Sequence, residues 1–190
     1  MTSFIFLFFY VHYNTNNMEV LMINNILRKI KNKLTKTIKI RMNIPQYPGI
    51  DFTPTFKTNG SACADIRAYI VDENNNGSSM TIEYEEVVKI PTKLRFEIPE
   101  GYEIQVRPRS SLSDKGIVVM IGTIDSDYRG EVYVQLINLS KDKSSFTIQH
   151  GYRIAQIKVS KVENVIFCHH DGELSKTKRG EGGFGHTGIE

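Results

Sequence analysis

From Lys36 onward the chain consists of short β-prone runs, and clusters of turn-forming residues separate each run from the next. Apolar and polar side chains alternate along the runs at 132–137 and 153–159, a period that puts successive side chains on opposite faces of a strand. Further β-prone runs are 37–42, 87–90, 94–98 and 104–106. The turn clusters are 72–79, 113–116, 126–130, 140–145 and 149–151. No segment after Lys36 keeps a helical period, so this spacing predicts an all-β domain: an antiparallel sandwich, jelly roll or barrel.

The composition is that of a globular protein with one core. The 190 residues are 40% hydrophobic and 24% charged, and they include only two cysteines. This cysteine count excludes a disulfide scaffold. No apolar run reaches the roughly 20 residues that a membrane-spanning helix needs, so we expect no membrane span.

Positive charge is concentrated near the N-terminus. Seven of the 24 Lys and Arg residues lie between Val20 and Ile50, which contains no acidic residue. The remaining 17 basic residues therefore face 21 acidic ones, a net charge of −4, and we expect no direct nucleic-acid binding. We interpret residues 1–35 as an extension that is dispensable for folding. An organelle-targeting segment is the alternative, so the predicted location is cytoplasmic, or organellar if the extension is a targeting signal.

Three segments outside the β-prone runs carry chemistry-bearing side chains. The tail RGEGGFGHTG at 179–188 combines free backbone N–H groups and an arginine, which suit an anion, with one aromatic ring that can stack on a base. The segment RPRSSLSDKG at 107–116 offers several donors to anionic oxygens. In GTIDSDYRGEV at 122–132, a carboxylate can deprotonate a water or bind Mg²⁺. Taken singly, each segment is also compatible with a solvated loop or turn.

In combination, these segments and two others closely resemble the five motifs of the trimeric dUTPases, the deoxyuridine triphosphate nucleotidohydrolases. The motifs are GSACADIRA at 60–68, PRSSLSDKG at 108–116, GTIDSDYRGEV at 122–132, GYRIAQ at 151–156 and RGEGGFGHTG at 179–188. The resemblance implies a jelly-roll, β-clip-like barrel in a homotrimer whose active sites each draw on all three chains. It also implies three regions: the extension 1–35, a β-domain at 36–170, and a flexible glycine-rich arm at 171–190 that closes over the site.

The resemblance implies hydrolysis of dUTP to dUMP and pyrophosphate by water attack on the α-phosphate. This reaction limits uracil incorporation into DNA and supplies dUMP for dTMP synthesis. Asp125 resembles the general base, and Tyr128 resembles the tyrosine that packs on the deoxyribose and excludes a 2′-hydroxyl. The other substrate-binding matches are Arg109, Ser110, Ser111 and Gln156 for the phosphates, Gly122, Thr123, Ile124 and Tyr133 for the uracil edge, and Arg179, Phe184, Gly185 and Thr187 in the arm.

Mg²⁺ is the implied cofactor, held mainly by the triphosphate, and Asp65 resembles the aspartate that approaches it through water. Two positions depart from the family pattern. Cys63 and Ala64 replace the residues usual before this aspartate. Val119 stands where some relatives have an asparagine that contacts the base, so we expect the main chain to carry base recognition.

Two other functions remain as alternatives: a dCTP deaminase of the same fold, and a nucleotide-binding module without catalysis. Tyr128 and the intact arm favour the hydrolase over the deaminase, and Asp125 favours an enzyme over a module. A metal site at 168–171 (Cys-His-His-Asp) lacks a second ligand cluster, so we interpret this segment as a linker. Cys63 is expected to be a reduced, buried residue, and nothing near it indicates a nucleophile.

Overall fold

The computed structural model describes residues 37–183, and the regular structure in this part of the chain is almost entirely β. One short helix, α1 (Ser110–Ser113), is the exception. No helix in the described part is long and apolar enough to cross a membrane. The strands are β1 (Arg41–Asn43), β2 (Thr55–Phe56), β3 (Ala64–Arg67), β4 (Ser79–Ile82), β5 (Val87–Pro91), β6 (Arg95–Glu97), β7 (Tyr102–Arg107), β8 (Ile117–Val119), β9 (Gly122–Ile124), β10 (Tyr133–Asn138), β11 (Phe146–Gln149) and β12 (Arg153–Lys161).

The strands form antiparallel sheets that enclose one core. A five-stranded sheet has the order β2-β3-β12-β7-β9, and a three-stranded sheet has the order β5-β10-β8. Two pairs, β1-β6 and β4-β11, complete the domain. Aliphatic side chains from the inner faces of these sheets, among them Ile66, Ile90, Leu136 and Ile154, are almost fully buried. Burial of this apolar surface is the main stabilising contribution to the fold.

The prediction of an all-β domain is confirmed, although individual strands differ from the sequence pattern. The run at 37–42 yields strand only from Arg41, where β1 pairs with β6 over three residues. β3, in contrast, lies within the first motif, where we predicted no strand. Its alternating burial, with Ala64 and Ile66 inside, is too short a signal to recognise beside the glycine- and serine-containing turn.

A β-bulge interrupts the alternation expected along β12. The register with β3 shifts between Arg153 and Ala155, and Ile154 and Ala155 are both buried although they are adjacent. An extra residue in one strand re-aims the side chains around it. As a result Arg153 and Gln156, which are three positions apart, are both on the partly exposed side of the strand.

The chain changes sheets between β8 and β9. β8 pairs with β10, whereas β9 pairs with β7, and within residues 37–183 no strand pairing joins β9 to β10. The segment between β9 and β10 therefore connects two sheets and is not the turn of a β-hairpin. The backbone of β9 is paired on one edge and borders an open depression on the other.

Candidate active site

Residues of three separate motifs meet around Asp65. The Nε of Arg109 donates to Asp65 Oδ1 at 3.0 Å, and Arg153 Nη1 lies 3.3 Å from Asp65 Oδ2. Arg109 Nη1 also donates to the backbone oxygen of Arg153 at 2.8 Å. The Asp65 side chain is only 11% exposed, so these charge-assisted contacts hold both guanidinium groups in defined positions.

The predicted phosphate-binding residues lie close to this network. Gln156 is the cross-strand partner of Asp65, and its amide donates to the Pro108 backbone oxygen at 2.7 Å. Ser110 and Ser111 form the first turn of α1, and both are exposed. The structure thus brings Arg109, Ser110, Ser111 and Gln156 to one end of the five-stranded sheet. We call this region the phosphate half-site.

Three further cationic residues belong to this half-site: Arg67 and Arg153 were not singled out from the sequence, whereas Lys115 is one of the donors in the segment 107–116. A depression of about 360 Å³ is lined by Arg67, Lys115 and Arg153 together with Arg109 and Ser111. Arg67 lies two positions after Asp65 on β3, and Lys115 follows α1. All three residues are inside the recognised motifs, so their charge was visible in the sequence. What the sequence did not show was which of them face the depression.

The structure permits Asp65 an indirect contact with Mg²⁺ but not a metal cage. In the described part of the chain, no group of three or more His, Cys, Asp or Glu side chains is arranged to hold a metal ion. Both carboxylate oxygens of Asp65 already contact arginine. An ionised carboxylate has about four acceptor positions, so one water of a hydrated ion can still be accepted. This donor set fits a Mg²⁺ ion that arrives with the triphosphate.

A second depression, of about 300 Å³, gathers the residues predicted to recognise the base and the sugar. Gly122, Thr123, Ile124 and Asp125 line one side, and Tyr128 and Tyr133 complete it; Lys89, Glu131 and Gln135 also line it. Asp125 is exposed, which leaves its carboxylate accessible to water. We call this region the base half-site.

Tyr128 is held over Gly130 at the edge of the base half-site. Its hydroxyl donates to the Glu131 backbone oxygen at 3.0 Å, and its backbone N–H bonds to the Asp125 oxygen at 3.2 Å. A Cβ atom on Gly130 would lie 2.2 Å from the Tyr128 hydroxyl oxygen. Arg129 stabilises the same turn by donating to the backbone oxygens of Ser126 and Tyr128. Only a glycine at position 130 leaves room for this ring position.

Asp125 and Arg109 lie apart within one chain. In the β7-β9 pairing Ile104 is opposite Ile124, so Asp125 lies level with Glu103. Arg109 is six residues further along an extended segment, and its own backbone is also extended. At about 3.3 Å per residue, the backbones of Asp125 and Arg109 are about 20 Å apart. The Arg109 side chain points to Asp65 instead of spanning this gap.

After β12 the chain runs out over the surface. Val162 N–H bonds to the Gly101 oxygen, and from 163 to 181 every residue is exposed. Arg179 lies in a turn in which its Nε donates to the Gly182 oxygen at 2.8 Å. Phe184, Gly185 and Thr187 lie outside the described residues, so their predicted roles in the arm stay predictions.

The segment interpreted as a linker contains one exposed side-chain hydrogen bond. His169 Nε2 lies 2.8 Å from Asp171 Oδ1, and both side chains are at least 85% exposed. Cys168 is free and exposed. Cys63 is free but only partly buried, so the prediction of a buried side chain is wrong; Ala64, the next residue and the first of β3, faces the core instead.

A partly buried cluster of cations beside serine hydroxyls suits the phosphates of a nucleotide, and an exposed carboxylate beside a second depression suits hydrolysis. The fold and the site thus define a nucleotide-hydrolysing protein of the all-β class. Residues 53–188 match the dUTPase family model, and the chain belongs to the dUTPase family. The resemblance of the five motifs to this family is thereby confirmed.

Named relatives agree with this membership. The chain is 43% identical over 153 residues to the deoxyuridine 5′-triphosphate nucleotidohydrolase of Fusobacterium nucleatum. This alignment covers 79% of this chain and 98% of the relative. The Finegoldia magna protein of the same name is 47% identical over 139 residues, covering 72% and 91%.

Solved structures support the same fold at lower identity. The dUTPase of Staphylococcus bacteriophage 80alpha, solved with dUPNHPP, aligns with a TM-score of 0.68 at 23% identity, covering 80% of this chain and all of that one. A point mutant of the dUTPase from phage phi11 of S. aureus, described with a structural Mg(II) ion, aligns with a TM-score of 0.59 at 18% identity, covering 70% and 97%.

Proposed function

We propose that this chain hydrolyses dUTP to dUMP and pyrophosphate in a homotrimer in which different copies contribute the two half-sites of each active site. The reaction is that of the dUTPase family, to which the chain belongs. The single observation that carries the shared site is the gap of about 20 Å between Asp125 and Arg109 along one chain. A catalytic group must lie within about 3.5 Å of the atoms it acts on. We therefore propose that Asp125 of one copy and Arg109 of another act on the same nucleotide.

Exposed apolar surface supports an assembly of several copies. On the three-stranded sheet and the segment after β8, the side chains of Val87, Val118, Met120, Ile121 and Tyr133 are 39–71% exposed. Beyond β12, Val165, Ile166 and Phe167 are 66–96% exposed. Contiguous apolar surface of this kind is typical of an interaction site, and symmetric homo-oligomers bury it between copies.

In the proposed reaction Asp125 orients a water molecule and removes its proton as the water attacks the α-phosphate. Negative charge then develops on the bridging oxygen and the departing pyrophosphate. Arg109, with the hydroxyls of Ser110 and Ser111 and the amide of Gln156, is proposed to stabilise this charge from another copy. Asp65 holds the guanidinium of Arg109 in place, so little reorganisation is needed when the charge develops.

Mg²⁺ supplies charge neutralisation at the triphosphate when it is bound. In this proposal the ion is held mainly by the phosphates, and Asp65 accepts a hydrogen bond from one of its waters. Binding of the ion to this chain remains a proposal, supported by the acceptor capacity left on Asp65.

Base and sugar selection is assigned to the base half-site. The free edge of Gly122–Ile124 and the backbone at Tyr133 are proposed to read the uracil edge, and Tyr128 to pack against the deoxyribose. Val119 is 3% exposed in the core, so it offers no polar contact to the base. Phe184 and Arg179 of the arm are proposed to cover uracil and to contact the terminal phosphate. A cytoplasmic location and the absence of nucleic-acid binding stay predictions.

Pyrophosphate release from dUTP, dCTP, dTTP and UTP by the purified chain tests the reaction. We expect a substantial rate of pyrophosphate release from dUTP and from none of the other three nucleotides. Ammonia release from dCTP without dUTP cleavage would instead indicate the deaminase, and binding of dUTP without any turnover would indicate a non-catalytic module.

Complementation tests the shared site. Asp125→Asn disables the base half-site and Arg109→Gln disables the phosphate half-site, so each variant alone should lose most turnover. When equal amounts are unfolded and refolded together, about one quarter of the sites should combine two intact half-sites in a symmetric ring. Each variant refolded alone is the control. A mixture no more active than its components would contradict a site shared between copies.

A further inference from the structure

Four cationic side chains line the depression at the phosphate half-site, and beyond contact distance the carboxylate of Asp51 also interacts with Arg67. Asp65 forms ion pairs with Arg109 and Arg153. Arg67 and Lys115 line the same depression, and no carboxylate oxygen in the described part of the chain lies within 4.0 Å of their charged nitrogens. Arg67 is partly buried, whereas Lys115 is exposed. A partly desolvated cation without a contacting carboxylate is unfavourable, so the position of Arg67 indicates a site for an anion.

Arg67 faces another arginine directly. On β3 the burial alternates, so Asp65 and Arg67 share the partly exposed side of the strand. Across the pairing of β3 with β12, the Cα of Arg67 is the partner of the Cα of Arg153. Like charges directly opposite each other destabilise a sheet. An anion that contacts both side chains removes this repulsion.

One hydrogen bond fixes the position of the Arg67 guanidinium. Its Nη1 donates to the Gly151 backbone oxygen at 2.7 Å, where the fourth motif begins. A guanidinium has five N–H donors in a planar fork, so Nε and Nη2 remain available. A fork of this kind matches the geometry of phosphate oxygens better than a lysine ammonium does.

We propose that Arg67 is a further substrate-binding residue, which contacts the triphosphate of the nucleotide beside Arg109. The proposal rests on the proposed function, because it takes dUTP as the ligand of the depression. It adds a contact outside the residues matched to the family's phosphate-binding positions. The contact is to the phosphates beyond the α-phosphate, so it distinguishes the triphosphate from the monophosphate product.

The test compares two ligands in two variants. Arg67→Met keeps most of the side-chain length and removes the charge, whereas Arg67→Lys keeps the charge without the fork. Affinities for an α,β-imido analogue of dUTP and for dUMP are measured by calorimetry or competition. We expect Arg67→Met to bind the imido analogue about tenfold more weakly, with dUMP affinity unchanged. Arg67→Lys should recover part of the loss. Arg41→Met, which removes an exposed arginine paired with Glu97, is the control and should match the wild type.

The outcomes distinguish a role of Arg67 in ligand binding from a role in stabilising the turn at Gly151. If Arg67 only braces the turn, Arg67→Met weakens both ligands equally and lowers the melting temperature, which overturns the proposal. Unchanged affinity for the imido analogue overturns it as well. The proposed function is judged separately by pyrophosphate release from dUTP in the wild type. A wild type without this activity would refute the function, even where a selective loss of imido-analogue binding upholds the contact.

Discussion

Replacement of Gly130 by alanine tests whether the position of the Tyr128 ring sets sugar selectivity. The added Cβ would lie 2.2 Å from the Tyr128 hydroxyl oxygen and 2.4 Å from the ring carbon that bears it. Non-bonded carbon atoms prefer 3.5–4.0 Å, so the ring must move by about 1 Å or more. Because 45% of Tyr128 is exposed, the ring has room to swing away, and the fold should survive.

The expected change in stability is small and the expected change in selectivity is large. Moving the ring breaks its hydrogen bond to the Glu131 oxygen, which contributes about 0.5–1.5 kcal/mol. Alanine offsets part of this by restricting the unfolded chain, by about 0.4–1 kcal/mol. A displaced ring no longer blocks a 2′-hydroxyl, and a misplaced packing contact changes discrimination by about tenfold or more. We therefore expect a nearly unchanged melting temperature and a ratio of dUTP to UTP turnover at least about tenfold lower.

The assay is pyrophosphate release from dUTP and UTP, with kcat/KM determined for each. Gly172→Ala is the matched control, because its Cβ meets only the side chain of the exposed His170, at 3.3 Å. Tyr128→Phe keeps the ring and loses only the hydroxyl, so its selectivity should stay close to that of the wild type. A Gly130→Ala protein with the wild-type dUTP to UTP ratio would refute the assignment of Tyr128 to the sugar.

Two further predictions concern the general base and the packing of the turn that follows α1. Asp125→Asn should lower kcat by about a hundredfold or more while dUTP still binds, as seen by comparing turnover with equilibrium binding; unchanged turnover would exclude Asp125 as the base. Gly116→Ala should destabilise the domain by at least about 2 kcal/mol in urea unfolding, because φ is +77° and the Cβ would lie 2.6 Å from the Ser140 Cα. Gly101→Ala, with φ +79° and no atom within 4 Å, isolates the backbone cost and should lose only about 1–2 kcal/mol; equal losses in the two variants would argue against the clash.

The sequence predicted the strands whose alternation lasts longest, and it missed those that depend on a partner. β10 stands out in the sequence because its alternation extends over six residues, and β12 because it is long and alternates after the bulge, from Ala155 to Lys158. β2, with two residues, forms only because β3 lies beside it, and a local pattern cannot carry that information. The change of sheet between β8 and β9 likewise depends on the pairing partner of each strand, which is β10 for β8 and β7 for β9.

The residue types in the sequence identified the chemistry of the site but not its division into a phosphate half-site and a base half-site. Asp125 and Arg109 are in separate motifs, and nothing in the spacing of those motifs shows that they lie at opposite ends of β7. The contact of Asp65 with Arg109 and Arg153 was also invisible, since it requires β3 and β12 to be neighbours in register. Arg67 was missed for the same reason.

The bulge in β12 decides which face of the strand carries two side chains of the active site. In an unbroken strand, residues three apart face opposite ways, so Arg153 and Gln156 could not both serve the same surface. The extra residue converts an odd spacing into an even one, and the core receives two neighbours, Ile154 and Ala155, in return. Straightening of the strand without loss of a residue would turn one of the two polar side chains toward the core, although every motif letter would remain. At this position the irregularity of the backbone therefore constrains the active site as tightly as the identity of the residues.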